Sequence, residues 1–373
     1  MNRINNGNIK FARELCGISV TELASRVGIS KQAISQFENG QAKPSNSTLK
    51  IIARELKVDF SFFNVDNNIP NINSPIYFRK LSKTTKRARM IAERKVQIFD
   101  YFVRYIKAFA ELPNVNLPKT EYDFMTLTND DIDEIALKLR KFWRISLGPI
   151  SNLSKLLEYN GIIVCPTILE NELDAFSLII REQPFIVNNI SRKSVRSRAN
   201  IAHELGHLIL HTKIIEEDLE NPEIHEAIEK QAWYFAMSFM LPEESFAKEL
   251  FSMNLDNFIQ IKERWKISIQ AMIMRSYDIG LISEESKTNL FRQINIKGIR
   301  RNEPYDDTIE VEEPELIKKA IKILIENEIL DKSNIINHPS FINDDLMSNI
   351  TGFSKNDMIS MDTLKIIPFP KVV

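Results

Sequence analysis

Apolar residues recur at two different spacings along this chain, and the change between them marks its organisation. Between residues 7 and 66 they recur every three or four positions, as on the buried face of short amphipathic helices. Ser30 stands where a helix N-cap belongs, and Gly28 stands where a helix ends. The segment therefore predicts a bundle of short helices.

The rest of the chain carries a short strand-forming region within a mostly helical pattern. Residues 64–75 have the composition of a linker, and a long basic helix from about Lys83 to Phe109 is predicted after them. Three strand candidates, IIVCP, DAFSLII and PFIVNN, precede a helix around AHELGHLILH. A further helix closes at Pro242, and helical spacing continues beyond it. The pattern predicts a mainly α fold with a small β-sheet, of the α+β class.

Composition is that of an ordinary globular protein. At 373 residues, with 43% hydrophobic and 27% charged residues, the chain can form two or three domains with buried cores. No apolar run approaches the ~20 residues of a membrane helix, and the polar start lacks the apolar core of a signal peptide. The two cysteines, Cys16 and Cys165, make neither a disulfide framework nor a cysteine metal site. We therefore expect a cytoplasmic protein with no membrane partner.

The net charge of −1 hides an uneven distribution. Residues 1–66 carry nine Lys and Arg against six Asp and Glu, and residues 79–110 carry ten against two. Residues 67–78 carry none, so the net charge of residues 111–373 is −12. A basic N-terminal third favours binding of a polyanion such as DNA, although a solvated basic helix explains the charge equally well.

The segment VTELASRVGISKQAISQFENG has the pattern of two helices joined by a tight turn. One helix ends at Gly28 and the next begins at Lys31. We expect Ala24, Gly28, Ile34 and Phe37 to pack where the two helices cross. The candidates for DNA contact are polar residues that the second helix leaves outward or that follow it: Lys31, Gln32, Ser35, Gln36, Asn39 and Lys43.

These residues, with the trailing KPSNSTLKIIARELKV, resemble the Xre family of phage-repressor and Cro-like helix-turn-helix proteins over about residues 7–66. The resemblance implies that the second helix enters the major groove of double-stranded operator DNA. It also implies a buried pair between Arg13 and Glu38. Because such heads usually read two half-sites, a homodimer is compatible with it. A helical bundle that no longer binds DNA is the alternative interpretation.

Three of the five histidines lie in AHELGHLILH, residues 202–211. His203 and His207 are four residues apart, so on a helix they lie on one face and can share a metal ion. Glu204 is rotated by about 100° from His203, which suits a general base acting on water better than a ligand. The apolar flanks predict a buried helix, in which two histidines need polar partners. Histidines satisfied by core contacts alone are the alternative.

A zinc hydrolase needs a third protein ligand. Leu210 and Lys213 exclude the metzincin arrangement, which has glycine and histidine at those positions. On the next predicted helix, an acidic residue shares a stripe with small and apolar ones, and the stripe is Glu229, Ala232, Ala236 and Phe239. An acid on such a stripe needs a cation, and the alanines allow the helix to pack closely, so Glu229 is the predicted third ligand.

Other polar residues near the site receive weaker assignments. Glu226 shares a helix face with Lys230, which predicts an exposed ion pair. His211, two turns from His203, is expected beside the ligands or in the core. The donor that stabilises an oxyanion stays open among Tyr234, Tyr277, His225 and Arg196.

These features, together with FRKL, ALKLRKFWRI, GPISNLSKLLEYNGIIV, DAFS and ERWKISIQAMIMRSYDIGLI, are similar to the ImmA/IrrE family of bacterial metallopeptidases over about residues 77–304. The resemblance implies a gluzincin-like core in which His203, His207 and Glu229 bind Zn²⁺ and Glu204 is the general base. Members of the family cleave a repressor or antitoxin partner, often of the Xre type. The resemblance also implies that PFIVNN is the sheet edge along which an extended substrate lies.

The predicted organisation has five parts. They are an all-α helix-turn-helix head (1–66), a linker and basic helix (67–125), a peptidase core (126–250), a helical segment similar to a helix-turn-helix (251–304) and a C-terminal helical region of unknown role (305–373).

Two functions from different classes follow from these predictions. The first is a DNA-binding regulatory zinc endopeptidase that cleaves a partner repressor or antitoxin. The second is a transcriptional repressor or antitoxin whose peptidase-like domain is a non-catalytic sensor or dimerisation module. Glu204 favours the first, because a structural zinc site needs no general base. A toxin–antitoxin or phage-encoded protein that only recognises a partner with both domains stays open.

Overall fold

A computed structural model of the chain describes residues 4–64, 77–78, 85–119, 122–167, 174–189, 194–338 and 344–360. Its strands are β1 (Tyr77–Phe78), β2 (Ile163–Thr167), β3 (Ala175–Ile180) and β4 (Gln183–Asn189). Its helices in the N-terminal part are α1 (Asn6–Leu15), α2 (Val20–Val27), α3 (Lys31–Glu38), α4 (Asn46–Glu55) and α5 (Lys86–Lys107), with a 3₁₀ turn at Phe60–Asn64. The helices that follow are α6 (Asn129–Phe142), α7 (Leu153–Tyr159), α8 (Ser194–Leu210), α9 (Glu216–Glu220), α10 (Pro222–Met240), α11 (Glu243–Glu249), α12 (Leu255–Trp265), α13 (Ile269–Asp278) and α14 (Glu284–Ile296). The last ones are α15 (Leu316–Glu326), α16 (Lys332–Ile336), α17 (Asp344–Thr351) and α18 (Lys355–Ser360). The mainly α fold with a small β-sheet is therefore confirmed.

The chain forms two compact units that interleave along the sequence. Unit 1 contains residues 1–72, 85–112 and 315–373, and unit 2 contains residues 73–84 and 113–314. The basic helix α5 and the C-terminal helices thus fold with the N-terminal head. The five-part division expected from the sequence does not contain this interleaving, because contacts between distant segments leave no local pattern.

Within unit 1, helices α1 to α4 form the small bundle that the apolar spacing predicts. Ser30 caps α3 by accepting a hydrogen bond from the backbone of Ala33 at 3.1 Å. The Arg13 guanidinium donates to both carboxylate oxygens of Glu38, at 2.6 and 2.9 Å, in a buried pair. That pair between α1 and α3 is the one that the resemblance implied.

The turn between α2 and α3 needs its glycine for a different reason from the one expected. Among the described residues, no atom lies within 4 Å of the position that a Cβ on Gly28 would take. Its φ of 76° lies in the left-handed region, where glycine caps a helix without strain. Gly28 therefore ends α2 and does not pack the crossing, whereas Ala24 and Ile34 are buried as predicted and Phe37 is half-buried.

Helix α5 also contributes to the interior of unit 1. The Arg94 guanidinium contacts Glu14 of α1 at 2.6 Å and donates to Gln97 at 2.7 Å. One face of α5 is apolar and buried, with Ile98, Phe102 and Ile106 inaccessible to solvent. Part of the positive charge of α5 is therefore used in an ion pair within unit 1.

The sheet of unit 2 has the order β1-β3-β4-β2. β3 and β4 are antiparallel and joined by Arg181 and Glu182, whose φ angles of 49° and 67° give the tight turn its twist. β2 runs parallel to β4, and β1 pairs antiparallel with β3. Since β4 has a partner on each side, the prediction that PFIVNN (184–189) forms the sheet edge is wrong; strand order depends on pairing between distant segments.

The core of unit 2 lies between the sheet and the helices α6, α8, α10, α12 and α13, where apolar residues such as Leu205, Phe239 and Trp265 are buried. Residues that follow α14 also contact the rest of this unit. Glu312 accepts hydrogen bonds from the backbone of Leu153 at 2.7 Å and Ser154 at 3.1 Å, and thereby satisfies the start of α7. None of the helices in the described ranges is both long enough and apolar enough to cross a bilayer.

Candidate functional site

Two helices of unit 2, α8 and α10, bring the predicted metal ligands together. His203 and His207 lie one turn apart on α8 and are 1% and 0% exposed. Glu229 lies on α10, and 15% of its side chain is exposed. Helix α8 is buried along nearly its whole length, so these polar groups are held by neighbouring protein and not by bulk water.

Close contact between the two helices sets the position of Glu229. A Cβ on Gly206 of α8 would lie 3.0 Å from the backbone oxygen and 3.1 Å from the Cα of Ala232 on α10. The absence of a side chain at Gly206 therefore lets the backbone of α10 approach α8 directly. This confirms the close packing that the alanine stripe on α10 predicts.

The three candidate ligand atoms form a small triangle. The Nε2 atoms of His203 and His207 lie 3.1 Å apart, and they lie 3.4 and 3.2 Å from the carboxylate oxygens of Glu229. A tetrahedral zinc ion with ligands at about 2.0–2.2 Å holds its ligand atoms about 3.3–3.5 Å apart. The donor types and the size of the triangle both fit zinc. Glu229 is suited to this role, since its burial raises its pKa but the neighbouring His203 and His207 lower it by more, so its pKa lies well below the usual range.

Glu204 lies beside this triangle and has one resolved partner on the sheet. The hydroxyl of Ser177 on β3 donates to a carboxylate oxygen of Glu204 at 2.7 Å, and both residues are buried. The bond orients the carboxylate without protonating it. A carboxylate that a hydrogen bond orients next to a metal site is suited to accept a proton from water.

A chain of hydrogen bonds fixes the tautomer of His207. The side-chain amide of Gln231 donates to the backbone oxygen of Phe124 at 2.7 Å, so its oxygen faces Nε2 of His211 at 3.0 Å. Burial, followed by the neighbouring His207, lowers the pKa of His211 well below its usual range, so this imidazole is neutral. With its Nε2 hydrogen bonded to Gln231, His211 accepts at Nδ1 from Nδ1 of His207, 3.0 Å away. The lone pair of His207 Nε2 is thereby left facing the triangle.

A cleft of about 1270 Å³ reaches the candidate metal site along α10. Among the residues that line it are Glu229, Trp233, His225, Arg196 and Tyr234. The Trp233 ring packs against the His203 ring with a centroid separation of 4.5 Å. The cleft thus offers an extended chain access to the Glu229 side of the site.

The four candidates for an oxyanion donor differ in whether they line the cleft and in whether they already have a partner. The Tyr234 hydroxyl donates to Asp133 at 2.8 Å, and its pKa is raised to about 12 by burial and by that carboxylate. Tyr277 is not among the described residues that line the cleft. Arg196 lines it but is paired with Asp174 at 2.6 Å. His225, one turn before Glu229 on α10, stays the candidate nearest the site in sequence.

One of the weaker assignments is confirmed, and two residues near the site were missed. Glu226 forms an exposed ion pair with Lys230 at 2.6 Å, as the sequence predicts. Sequence reasoning did not identify Ser177 or Gln231. Neither residue could be found from local spacing, since Ser177 meets Glu204 across 27 positions and Gln231 meets Phe124 across 107.

In unit 1, the predicted DNA contacts lie on helix α3 and directly after it. Lys31, Gln32, Asn39 and Lys43 are exposed, and Ser35 and Gln36 are half-buried. The amide of Asn39 approaches the Ser35 hydroxyl at 3.5 Å. Their roles in DNA contact stay predictions. α2, the turn at Gly28 and α3 have the helix-turn-helix arrangement in which the second helix carries such contacts.

Two protein-family models match parts of the chain. Residues 9–63 match the helix-turn-helix family, which supports DNA binding. Residues 157–277 match a peptidase family described as the IrrE N-terminal-like domain, whose members are typically metal-dependent. No curated protein matches the chain. The chain therefore joins a helix-turn-helix domain to a metallopeptidase-like domain of the ImmA/IrrE type.

Proposed function

We propose that this protein is a DNA-binding regulator whose unit 2 is a zinc-dependent endopeptidase that cleaves a repressor-type or antitoxin-type protein. One observation carries the proposal. Two histidine nitrogens and a carboxylate lie 3.1–3.4 Å from one another. The oriented carboxylate of Glu204 lies on the same helix, one residue after His203. This donor set fits a metal hydrolase better than a purely structural site, which has no use for a general base.

The chemistry proposed is hydrolysis of a peptide bond. A zinc ion held by His203, His207 and Glu229 would activate water and polarise the scissile carbonyl. Glu204 would accept the proton of the attacking water and pass it to the nitrogen of the leaving amine as the C–N bond breaks. Ser177 would keep the Glu204 carboxylate in place through its 2.7 Å hydrogen bond. The buried surroundings of α8 would strengthen each of these electrostatic contacts.

The helix-turn-helix head explains how such a peptidase would meet its substrate. Residues Lys31, Gln32, Ser35, Gln36, Asn39 and Lys43 are proposed to contact operator DNA. A head bound at an operator raises the local concentration of the peptidase near other regulators bound to the same DNA. A repressor or antitoxin that shares or neighbours the operator is therefore the expected substrate.

Substitution of Glu204 tests the proposal most simply. Glu204→Gln keeps the size of the side chain and its contact with Ser177 but removes the base. In cells that produce the wild-type chain, mass spectrometry of protein N-termini should find a new N-terminus within a regulator, and Glu204→Gln should abolish it. Glu226→Gln is the matched control, because that acid is exposed and paired with Lys230.

The second candidate function predicts a different outcome. If unit 2 is only a sensor or dimerisation module, wild type and Glu204→Gln should give the same protein N-termini. Substitution of His203 by alanine should then alter operator binding without any proteolysis. Cleavage that persists in Glu204→Gln would instead remove Glu204 from the mechanism.

A further inference from the structure

The edge of β3 lies next to the proposed catalytic carboxylate. Ser177, in the middle of β3, donates its hydroxyl hydrogen bond to Glu204. One side of β3 is paired with β4 from Ala175 to Ile180. The other side of β3 is therefore the sheet edge at which an extended peptide could add a strand beside Glu204.

That edge is already occupied by the chain itself. β1 pairs antiparallel with β3, with Tyr77 opposite Ser177 and Phe78 opposite Phe176. Opposite residues of an antiparallel pair have Cα atoms about 4.5–5.5 Å apart. The backbone of Tyr77 thus lies one strand spacing from the residue that holds Glu204. An extended peptide cannot pair with the same part of β3 while β1 is in place.

The low exposure of Glu204, the proposed base, agrees with an edge of β3 that β1 already occupies. Glu204 and His203 are each 1% exposed. Among the described residues, the cleft is lined by Glu229 but not by Glu204. A scissile peptide bond has to reach the metal ligands and the base together. A peptide can therefore approach the site from the side of Glu229, whereas the side of Glu204 is covered.

Along the sequence, the segment that contains β1 is preceded and followed by segments of unit 1. Residues 73–84, which contain β1, belong to unit 2, whereas residues 1–72 before them and 85–112 after them belong to unit 1. In the described part of β1 two residues pair with β3, and edge pairing over so few residues is readily exchanged.

We propose that β1 is a resident competitor for the peptide-binding edge of β3, and that a partner protein reaches Glu204 only after β1 has left that edge. The inference rests on the proposed peptidase function and adds its regulation. The same surface then takes two ligands in turn, strand β1 of this chain and an extended segment of the substrate. Backbone hydrogen bonds give both of them their affinity.

Binding of the β1 sequence in trans tests the proposal. The probe is a fluorescein-labelled peptide of residues 73–84, NSPIYFRKLSKT, and the readout is fluorescence anisotropy. The protein is the full chain carrying Glu204→Gln, so the probe is not cut. Proline at both Tyr77 and Phe78 removes the N–H groups that β1 can donate to β3. Valine at both positions keeps these N–H groups and favours a strand, so it is the matched control.

The expected result is that the proline chain binds the probe about tenfold more tightly than the valine chain. This ratio corresponds to about one backbone hydrogen bond of ordinary net strength, as expected if one of the two residues donates to β3. Equal affinities, or no binding by either chain, would overturn the proposal. Circular dichroism and zinc content should match between the two chains.

Single substitutions provide a second test if the double proline chain does not fold. Neighbouring residues of an antiparallel strand alternate, so one of Tyr77 and Phe78 donates to β3 and the other points away. Tyr77→Pro and Phe78→Pro should therefore differ in probe affinity, and identical values would contradict the pairing. Failure of the proposed function is distinguishable, because new protein N-termini report cleavage and anisotropy reports only the edge.

Discussion

Replacing Gly206 by alanine perturbs the contact that places Glu229 without touching any proposed ligand. The added methyl group would lie 3.0 Å from the backbone oxygen of Ala232 and 3.1 Å from its Cα, whereas ordinary contact begins at 3.4 Å. These two nearest neighbours are backbone atoms, and the third is Cδ1 of the fully buried Phe235 ring at 3.2 Å, so no exposed side chain can swing away. Helix α10 must therefore recede from α8 by a few tenths of an ångström.

The size of the effect follows from two opposing free energies and one distance. Alanine is favoured over glycine inside a helix by about 1 kcal/mol. Overpacking of a tight contact costs about 1–3 kcal/mol, so the free energy of unfolding should fall by about 0–2 kcal/mol. Ligand distances in a metal site are set to about 0.2 Å, and Glu229 lies three residues from Ala232 on the displaced helix. We therefore expect zinc affinity to fall about tenfold or more while the fold is retained.

Competition with a chelator of known zinc affinity measures this change on the full chain. Gly148→Ala is the matched control, since a Cβ there would meet its nearest neighbour, the Ser146 hydroxyl, at an ordinary 3.6 Å. The reasoning would be refuted if Gly206→Ala bound zinc as tightly as wild type and gained stability from its better helix propensity. That result would mean that α10 does not need to lie so close to α8.

Three further predictions follow from other contacts. Glu38→Ala strands the buried guanidinium of Arg13 and should lower the free energy of unfolding in urea by about 3–5 kcal/mol; a paired Arg13→Met and Glu38→Leu chain should lose much less. Gln231→Leu breaks the bond that orients His211, so zinc affinity in chelator competition should fall about 10–100-fold, and an unchanged value would contradict the fixed tautomer. Burial lowers the pKa of His338 to about 4, below the usual 6.5, so the unfolded chain binds this proton more readily. Stability should therefore fall by about 3 kcal/mol as pH drops from 6.5 to 4, and His338→Phe should remove this part of the pH dependence in thermal unfolding.

Local patterns were sufficient to predict the helices and the ligand candidates. His203 and His207 are recognisable because a four-residue spacing places them on one helix face. Glu229 is recognisable because it is the acid on a stripe that includes Ala232 and Ala236. The structure buries both alanines and places Ala232 against Gly206 of α8. In each case the decisive relation spans only one or two helical turns.

Relations between distant segments were not predictable in this way. The sheet places β4 between β3 and β2, although PFIVNN alone has no feature that separates an edge strand from a central one. β1 meets β3 across about 100 residues, with Tyr77 opposite Ser177. The hydrogen bond of Ser177 to Glu204 also depends on tertiary packing. A charge count could not show that Arg94 of the basic helix pairs with Glu14 inside unit 1.

The division into interleaved units changes the interpretation of the basic segment. From its charge, residues 79–110 were a candidate for binding a polyanion. In the structure, α5 buries one face within unit 1 and uses Arg94 and Arg104 in ion pairs with Glu14 and Asp100. The predicted DNA contacts on and after α3 do not depend on α5, so the head can be tested with substitutions in α3 alone.

The central claim is that His203, His207 and Glu229 hold one zinc ion beside Glu204. Native mass spectrometry of the purified full chain, after equilibration with zinc and removal of free metal, measures the zinc bound per chain directly. We expect about one zinc ion for wild type, for Glu204→Gln and for the Glu226→Gln control, and a large loss for Glu229→Gln. A wild-type chain that retains no zinc, or a Glu229→Gln chain that retains as much as wild type, would contradict it.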